Sequence, residues 1–444
     1  FVDAFVEALD LAELGFDRAE PKEMGRPAYH PGLLMRLYLY GYLNSIRSSR
    51  KLEREAKRNV ELMWLMEMLT PDHKTIADFR RDNLEPIKKS CRQFTTLCKK
   101  MGLFGGELVA VDGSKFKADN SRERNYTKRK LEKLIRLTDQ RIDEYLAQLD
   151  EADQEEAETE SGNHSVEELK EKIEALKKRK QQHKQRQEKL EKSGETQLSE
   201  TDCDARLMKV KDGLEVCYNV QIAVDSKHKL IVEEEVTNEG SDHNQLSEMA
   251  IKAKETLGVE QLDAVVDKGY YDSGEIKKCE ENGIAVYVER RTAGKQHGVF
   301  SIEQFRYITE KDVYECPAGQ QLTYKGRSTE KGRGVKYYIA SACSGCALKS
   351  QCTRGAFRRI KRLADEEVLE RVAARVRAGP DKLRLRKALA EHPFGTIKRV
   401  MGYGYFLTRG KQKVGTEMSL TVMAYNLKRV INIVGIKTMI ETLT

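Results

Sequence analysis

The sequence predicts an α/β fold, and three observations carry that reading. Two short apolar runs, Leu108-Val-Ala-Val-Asp112 and Asp263-Ala-Val-Val-Asp267, read as buried strands that each deliver an acid. From Cys217 onward, strand-patterned and helix-patterned segments alternate. Long stretches with apolar residues at helical spacing precede and interrupt that alternation.

Residues 1–104 read as an all-helical domain. Apolar residues recur at helical spacing from Phe1 to Leu9 and from Leu33 to Ile46, with Pro31 suited to a first helical turn. Ser48-Ser-Arg50 opens a further helix carrying a basic cluster of Arg47, Arg50, Lys51, Arg54, Lys57 and Arg58. Thr70 to Arg81 reads as a turn and a short helix. Such a module suits DNA binding as well as plain packing.

Gly102 to Gly106 punctuates the chain before the first strand, and Lys115 and Lys117 follow its acid. Residues 127–194 differ in character. Leu131, Ile135, Ile142, Tyr145 and Leu149 fall at three-and-four spacing, as do Val166, Leu169, Ile173 and Leu176. Between them lies an acidic turn, Asp150 to His164, and Ser165-Val-Glu-Glu168 has the capping-box pattern. We read a coiled-coil hairpin insertion, either a spacer or an arm for dimerisation or DNA.

Tyr218–Val224 and Leu230–Val236 form a predicted hairpin across Asp225–Lys229. A helix from about Asn244 to Leu257, the strand ending at Asp267, a helix near Ser273–Asn282 and the strand Ile284–Val288 follow. Three strands, helix, strand, helix, strand is the order of a ribonuclease-H-like mixed sheet with helices. Its first part would take in residues 105–126 and 195–289. Residues 290–360 form a Cys-containing insertion. Residues 361–444 return to the core as helices: Ala364–Arg377, a stretch after Gly379-Pro380 bearing Glu391, and an amphipathic helix from about Thr416 to Val434.

Net charge is only +8, from 79 Lys and Arg against 71 Asp and Glu. The distribution is uneven: 17 Lys and Arg face 6 Asp and Glu between Arg354 and Val414. Such clusters suit a polyanion, with nucleic acid the default. No apolar run approaches the ~18–20 residues of a membrane span. Nine scattered Cys in a charged chain with no visible secretory leader fit a reducing cytoplasm, with nucleoid association if DNA is the partner. The first residue is Phe1 rather than Met, so an upstream segment is expected.

An acid closing a buried strand is costly unless something uses its charge. Asp112 and Asp267, on strands that neighbour each other in this order, can converge. Glu391 can close the site from a helix. Carboxylates suit hard divalent ions acting on phosphates, and two such ions can activate water or a 3′-hydroxyl. Asp267 is followed at once by Lys268 and a Gly turn. Lys398 follows Glu391 by seven residues, two helical turns on and so on the same face, where it can hold a backbone phosphate. Lys115, Lys387 and Arg399 add to the DNA-facing charge, with Arg384 and Arg386. Glu417 is the rival for the third acid.

The chain resembles the DDE transposases of bacterial insertion sequences, in the subgroup with an N-terminal helical domain and an Asp-Lys-Gly-Tyr motif. The resemblance runs from about His30 to Val434. It rests on His30-Pro-Gly-Leu-Leu34, Val111-Asp-Gly-Ser-Lys-Phe-Lys-Ala118, Asp267-Lys-Gly-Tyr270, Glu391-His-Pro-Phe-Gly-Thr-Ile-Lys-Arg399 and the closing stretch Gly415 to Arg429. It implies that Asp112, Asp267 and Glu391 form a catalytic, metal-binding triad for two Mg²⁺ or Mn²⁺ ions. It implies binding to double-stranded DNA, at the element's terminal inverted repeats and at target DNA, followed by strand cleavage and strand transfer, in at least a dimer. Related transposases carry Tyr-x2-Arg-x3-Glu-x6-Lys around the Glu. Here Arg384 and Lys387 stand where Tyr and Arg would be. Two alternatives share the architecture: another ribonuclease-H-like nuclease, and an inactive transposase-derived DNA-binding protein.

The cysteines raise a separate question. Cys316-Pro-Ala-Gly319 and Cys343-Ser-Gly-Cys346 resemble tight turns that present thiolates to zinc, and Cys352 makes a fourth. One structural Zn²⁺ or four reduced thiols both fit. Cys91, Cys98, Cys203, Cys217 and Cys279 read as small core residues.

Overall fold

The computed structural model describes residues 1–20, 28–156, 163–290, 299–330 and 333–443. It is a mixed α/β structure. The first hundred residues form α1 Val2–Glu7, α2 Pro31–Leu43, α3 Ser49–Ala56, α4 Val60–Leu65, α5 His73–Asp82 and α6 Leu84–Lys100. Pro31 opens α2 as expected, with His30 accepting a bond from the Gly32 N–H.

Strand β1, Leu108–Lys117, follows, then the short β2 Asn125–Thr127. Asp112 therefore does not end its strand. The apolar run stops there, but the backbone stays extended for five more residues because β5 keeps pairing with it through Lys117. Helices α7 Lys128–Glu156 and α8 Asn163–Ser193 come next. They run antiparallel, since Lys180 pairs with Asp139 and Lys128 with Glu191. Part of the predicted acidic turn, 157–162, lies outside the described residues, and α8 begins two residues before the predicted cap at Ser165.

Strand β3, Gln197–Ser199, pairs with β2. Then come β4 Arg206–Val210, β5 Gly213–Asp225, β6 Ile231–Thr237, α9 Leu246–Leu257, β7 Leu262–Val266, α10 Ser273–Glu281 and β8 Ile284–Tyr287. The main sheet has the order β4-β5-β1-β7-β8, with β6 also on β5. Strand β5 is antiparallel to β1, β4 and β6, whereas β1 is parallel to β7 and β7 to β8. The parallel strands are apolar on both faces because helices cover both. On one side Val109, Val111 and Val266 meet α9 and α10.

The chain then builds a second antiparallel sheet: β9 Arg306–Ile308, β10 Val313–Glu315, β11 Gln321–Glu330, β12 Arg333–Ala340 and, after α11 Lys349–Cys352, β13 Arg359–Leu363. The sequence marks this segment only as a Cys-containing insertion. The sheet has a core of its own, around Phe305, Tyr314, Leu322 and Tyr338. Aromatic residues spaced far apart in the sequence hid it.

Three helices close the chain: α12 Glu366–Ala378, α13 Pro380–Gly395 and α14 Lys411–Glu441. α12 joins α9 and α10 through Val368, Leu369 and Val372. α13 covers Leu108, Ala110 and Val265 with Leu389 and Ala390. α14 was expected to be amphipathic, but from Met418 to Leu427 every residue is buried. It runs through the middle of the molecule, between the N-terminal helices and the β5–β6 face, so it needs no polar side.

That centre holds one buried ion pair. Glu417 is 0% exposed and Arg47 6%, with Nη1–Oε1 3.2 Å. Glu417 also accepts from the N–H groups of Leu407 and Thr408. Arg47 packs its guanidinium against Tyr403 and Tyr405, so it is not part of an exposed basic cluster. We expect Glu417→Ala to lower unfolding stability by about 3–5 kcal/mol, since it strands a buried guanidinium and two N–H groups. Urea unfolding checks this, and a loss under about 1 kcal/mol would show that water already reaches the pair.

Candidate active site

β1 and β7 are in register, with Val111 opposite Val266. Asp112 and Asp267 each come one residue later and so lie side by side just past the parallel-paired stretch of β1 and β7. Side chains alternate along a strand. Asp112 therefore shares the face of Leu108 and Ala110, which is the face under α13. Asp267 caps the short turn Lys268–Tyr270 and accepts from the Gly269 N–H.

The Asp112 carboxyl is 19% exposed and 3.8 Å from the Arg386 guanidinium of α13. Burial pushes its pKa up to about 6, with Asp267 and Asp242 adding to the rise; the Gly113 N–H and Arg386 oppose it. Asp267 lies exposed beside it.

Asp242 is a residue that sequence reasoning missed. It accepts from Asn219 and Gln221, both at 2.9 Å, and lies 3.7 Å from Lys115. It comes from the opposite face of β1, and Gly113 makes room for it. A Cβ at Gly113 would collide with Gln221 and Asp242. Buried Tyr270 joins this network through a hydrogen bond to Gln221. The signal was the Gly directly after Asp112, where a small residue lets other side chains crowd the strand. Arg386 was read only as general positive charge.

Glu391 is placed differently from its expectation. It is exposed on α13, on an open groove shared with Lys229, Arg384, Lys387, His392 and Arg399. The face that meets the sheet carries Arg386, Leu389 and Ala390 instead. Lys398 does not share the face of Glu391. Residues Thr396–Val400 form a π-helical turn, so counting two α-helical turns from Glu391 fails. Lys398 turns inward, donating to the Lys115 carbonyl at 2.7 Å and to Ser114 Oγ, with its ammonium 4.4 Å from the Phe116 ring centre. Burial lowers its pKa to about 8.

The other predicted DNA contacts divide. Lys387 and Arg399 line the groove. Lys268 pairs with Glu289, and Lys115 is held by Asp242 with its pKa lowered by burial. Glu417, the rival third acid, belongs to the buried pair with Arg47. His243 sits 3.8 Å from Asp272.

Cys316, Cys343, Cys346 and Cys352 line one small cavity in the second sheet. Cys91, Cys98, Cys217 and Cys279 are buried as expected, but Cys203 is exposed, in the loop before β4. Among the described residues, no group of three His, Cys, Asp or Glu side chains is drawn together as a ready-made metal site.

An aspartate with a folded pKa near 6 and an unfolded pKa near 4 takes up a proton on folding between those values. Its contribution to stability is fully present below about pH 4 and is lost as pH rises through 6. We expect Asp112→Asn to stabilise the metal-free protein at pH 8 by on the order of 2 kcal/mol, with the gain vanishing near pH 4. Thermal melts of both proteins across that range check it. A gain that does not change with pH would show that the carboxyl is not strained by burial.

Two segments match known family models. Residues 315–431 match one described as Transposase DDE domain. Residues 1–82 match one described as Transposase domain (DUF772). The first spans Glu391 and the cysteine cavity; Asp112 and Asp267 lie outside both segments. No curated protein and no solved structure matches the chain.

Proposed function

We propose that this chain, which belongs to the DDE transposases of the insertion-sequence type, binds the ends of its own element, cleaves their phosphodiester backbone and joins a freed 3′-hydroxyl to target DNA. The observation that carries the reading is the meeting of Asp112 and Asp267 just past the parallel-paired stretch of β1 and β7, beneath a basic helix. The strand order, three antiparallel strands followed by two parallel ones, supports a ribonuclease-H-like core. On this reading residues 105–126 and 195–289 with 361–444 form the catalytic core. Residues 1–104 would serve DNA binding, with the α7–α8 hairpin (127–194) and the second sheet (290–360) as insertions.

The donor set fits a divalent cation of the Mg²⁺ or Mn²⁺ kind. Asp112 and Asp267 offer oxygen ligands, which hard ions prefer. The crowding of Asp112 by other carboxylates is a charge imbalance that a cation relieves. Such ions, when bound, lower the pKa of an attacking oxygen and stabilise the leaving one. Asp112 and Asp267 would hold them, and Glu391 would complete the set with DNA in place. Arg386 partly neutralises Asp112. Lys387 and Arg399, with Lys229 and Arg384, would take the DNA backbone along the groove. Lys398 acts from behind: it is tied to β1 through Ser114 and the Lys115 carbonyl and fixes the strand beside Asp112, while Lys115, within β1, pairs with Asp242. Pairing two element ends takes at least two copies of the chain.

Asp112→Asn and Asp267→Asn should each abolish cleavage of inverted-repeat DNA while leaving its binding within a few fold. Unchanged cleavage by both would remove the proposal. Glu391→Gln separates two roles. As a metal ligand, its loss abolishes cleavage; as a groove-lining acid, its loss leaves cleavage intact and tightens DNA binding. Lys387→Ala with Arg399→Ala should weaken binding to all sequences alike and reduce the log–log salt slope by roughly 2, about one per lost phosphate contact. An unchanged slope would place the DNA elsewhere.

A further inference from the structure

We propose that Cys316, Cys343, Cys346 and Cys352 bind one structural Zn²⁺ that fastens the second sheet. The four residues come from three separate segments. Cys316 opens the turn after β10, Cys343 and Cys346 lie in the loop after β12, and Cys352 closes α11. All four line one cavity of about 20 Å³, room for little more than a single water-sized occupant. The other Cys-bearing segments show no such convergence: Cys91, Cys98, Cys217 and Cys279 sit singly in helices and strands.

The backbone around the thiols is arranged for thiolates. The Gln320 N–H points at the Cys316 sulfur at 3.3 Å, across a turn whose Gly319 has φ +72°. The Arg358 N–H points at the Cys343 sulfur at 3.5 Å. Such N–H donors stabilise sulfur as the anion and orient it, the outer-shell role found around metal ligands. Four thiolates confined there would repel one another unless a cation balanced them. A soft four-sulfur set selects a tetrahedral ion of the zinc kind over a hard one. The sulfurs are not drawn into a ready-made cage, consistent with a site that closes as the ion binds. Its closure would tie α11 to the ends of β10 and β12. Phe300 is held to the same place by Gln351 and Arg358, so the segment leading into β9 would be fixed with it.

The test uses the full chain, purified under reducing conditions without chelator, with zinc measured by mass spectrometry. We expect one Zn²⁺ per chain, retained in Cys279→Ser and Asp112→Asn and lost in Cys343→Ser and Cys352→Ser. Asp112→Asn keeps this result separate from the nuclease reading. Cobalt substitution of the unmutated chain gives a second measure that does not need a folded variant: tetrahedral cobalt–thiolate coordination shows strong visible absorption and sulfur charge-transfer bands. Absence of stoichiometric zinc after reconstitution with Zn²⁺, cobalt spectra without sulfur bands, or zinc retained in both cysteine variants would each overturn the proposal.

Discussion

Parallel pairing of β1 with β7 is the constraint on which the site depends. One register places Val111 beside Val266, and that alone brings two acids from distant parts of the chain to adjacent positions. A slip of one residue would turn the Asp112 side chain to the opposite face, away from α13. The register is held by apolar packing on both faces: α9 against Val109 and Val111, α13 against Leu108, Ala110 and Val265. The acids sit where this packing ends. The apolar strands thus supply the rigidity, and the two acids occupy the first polar positions after them.

Much of this was legible in the sequence. The strand pair carrying Asp112 and Asp267, the β5–β6 hairpin and helices α9 and α10 all follow from local periodicity. What failed were arguments that assumed a regular local geometry. Lys398 was counted onto the face of Glu391 by the α-helical repeat, and a π-helical turn lies between them. The continuation of β1 past Asp112 was hidden because Gly113 to Lys115 look like a turn, and only the partner strand β5 makes them a strand. Arg47 looked like part of a basic cluster and Glu417 like a rival third acid, because nothing local reveals a pairing across 370 positions. The five-stranded sheet was missed for a similar reason: its core gathers Phe305, Tyr314, Leu322 and Tyr338 from separate segments.

α13 joins two environments. Its sheet-facing side anchors the acids through Ala390 and Arg386, while its outer side forms the basic groove with Glu391. The π turn that follows it keeps the chain helical but shifts its facing, so Lys398 can reach β1 while Arg399 stays on the groove. One helix thereby connects the position of Asp112 to the basic groove on its outer side. A charge change on the groove side would be felt mainly in binding, and a packing change on the sheet side mainly in the alignment of Asp112.

The core is interrupted by two long insertions, one between β1 and the later strands and one between β8 and α12, and each is closed at its base. Closing a flexible loop costs more as it lengthens, but only slowly. Here the cost is cut further, because each interruption brings its own ends together. β2 pairs with β3, Asn125 opposite Ser199, so the chain leaves and re-enters the core at nearly one point despite the hairpin between. At the second, Arg290 reaches Glu366 at 2.9 Å, joining the exit after β8 to the start of α12. From the core's side, each insertion then behaves as a short connection. The β1–β7 register and the seating of α13 can therefore form without waiting on the far ends of the hairpin or the second sheet.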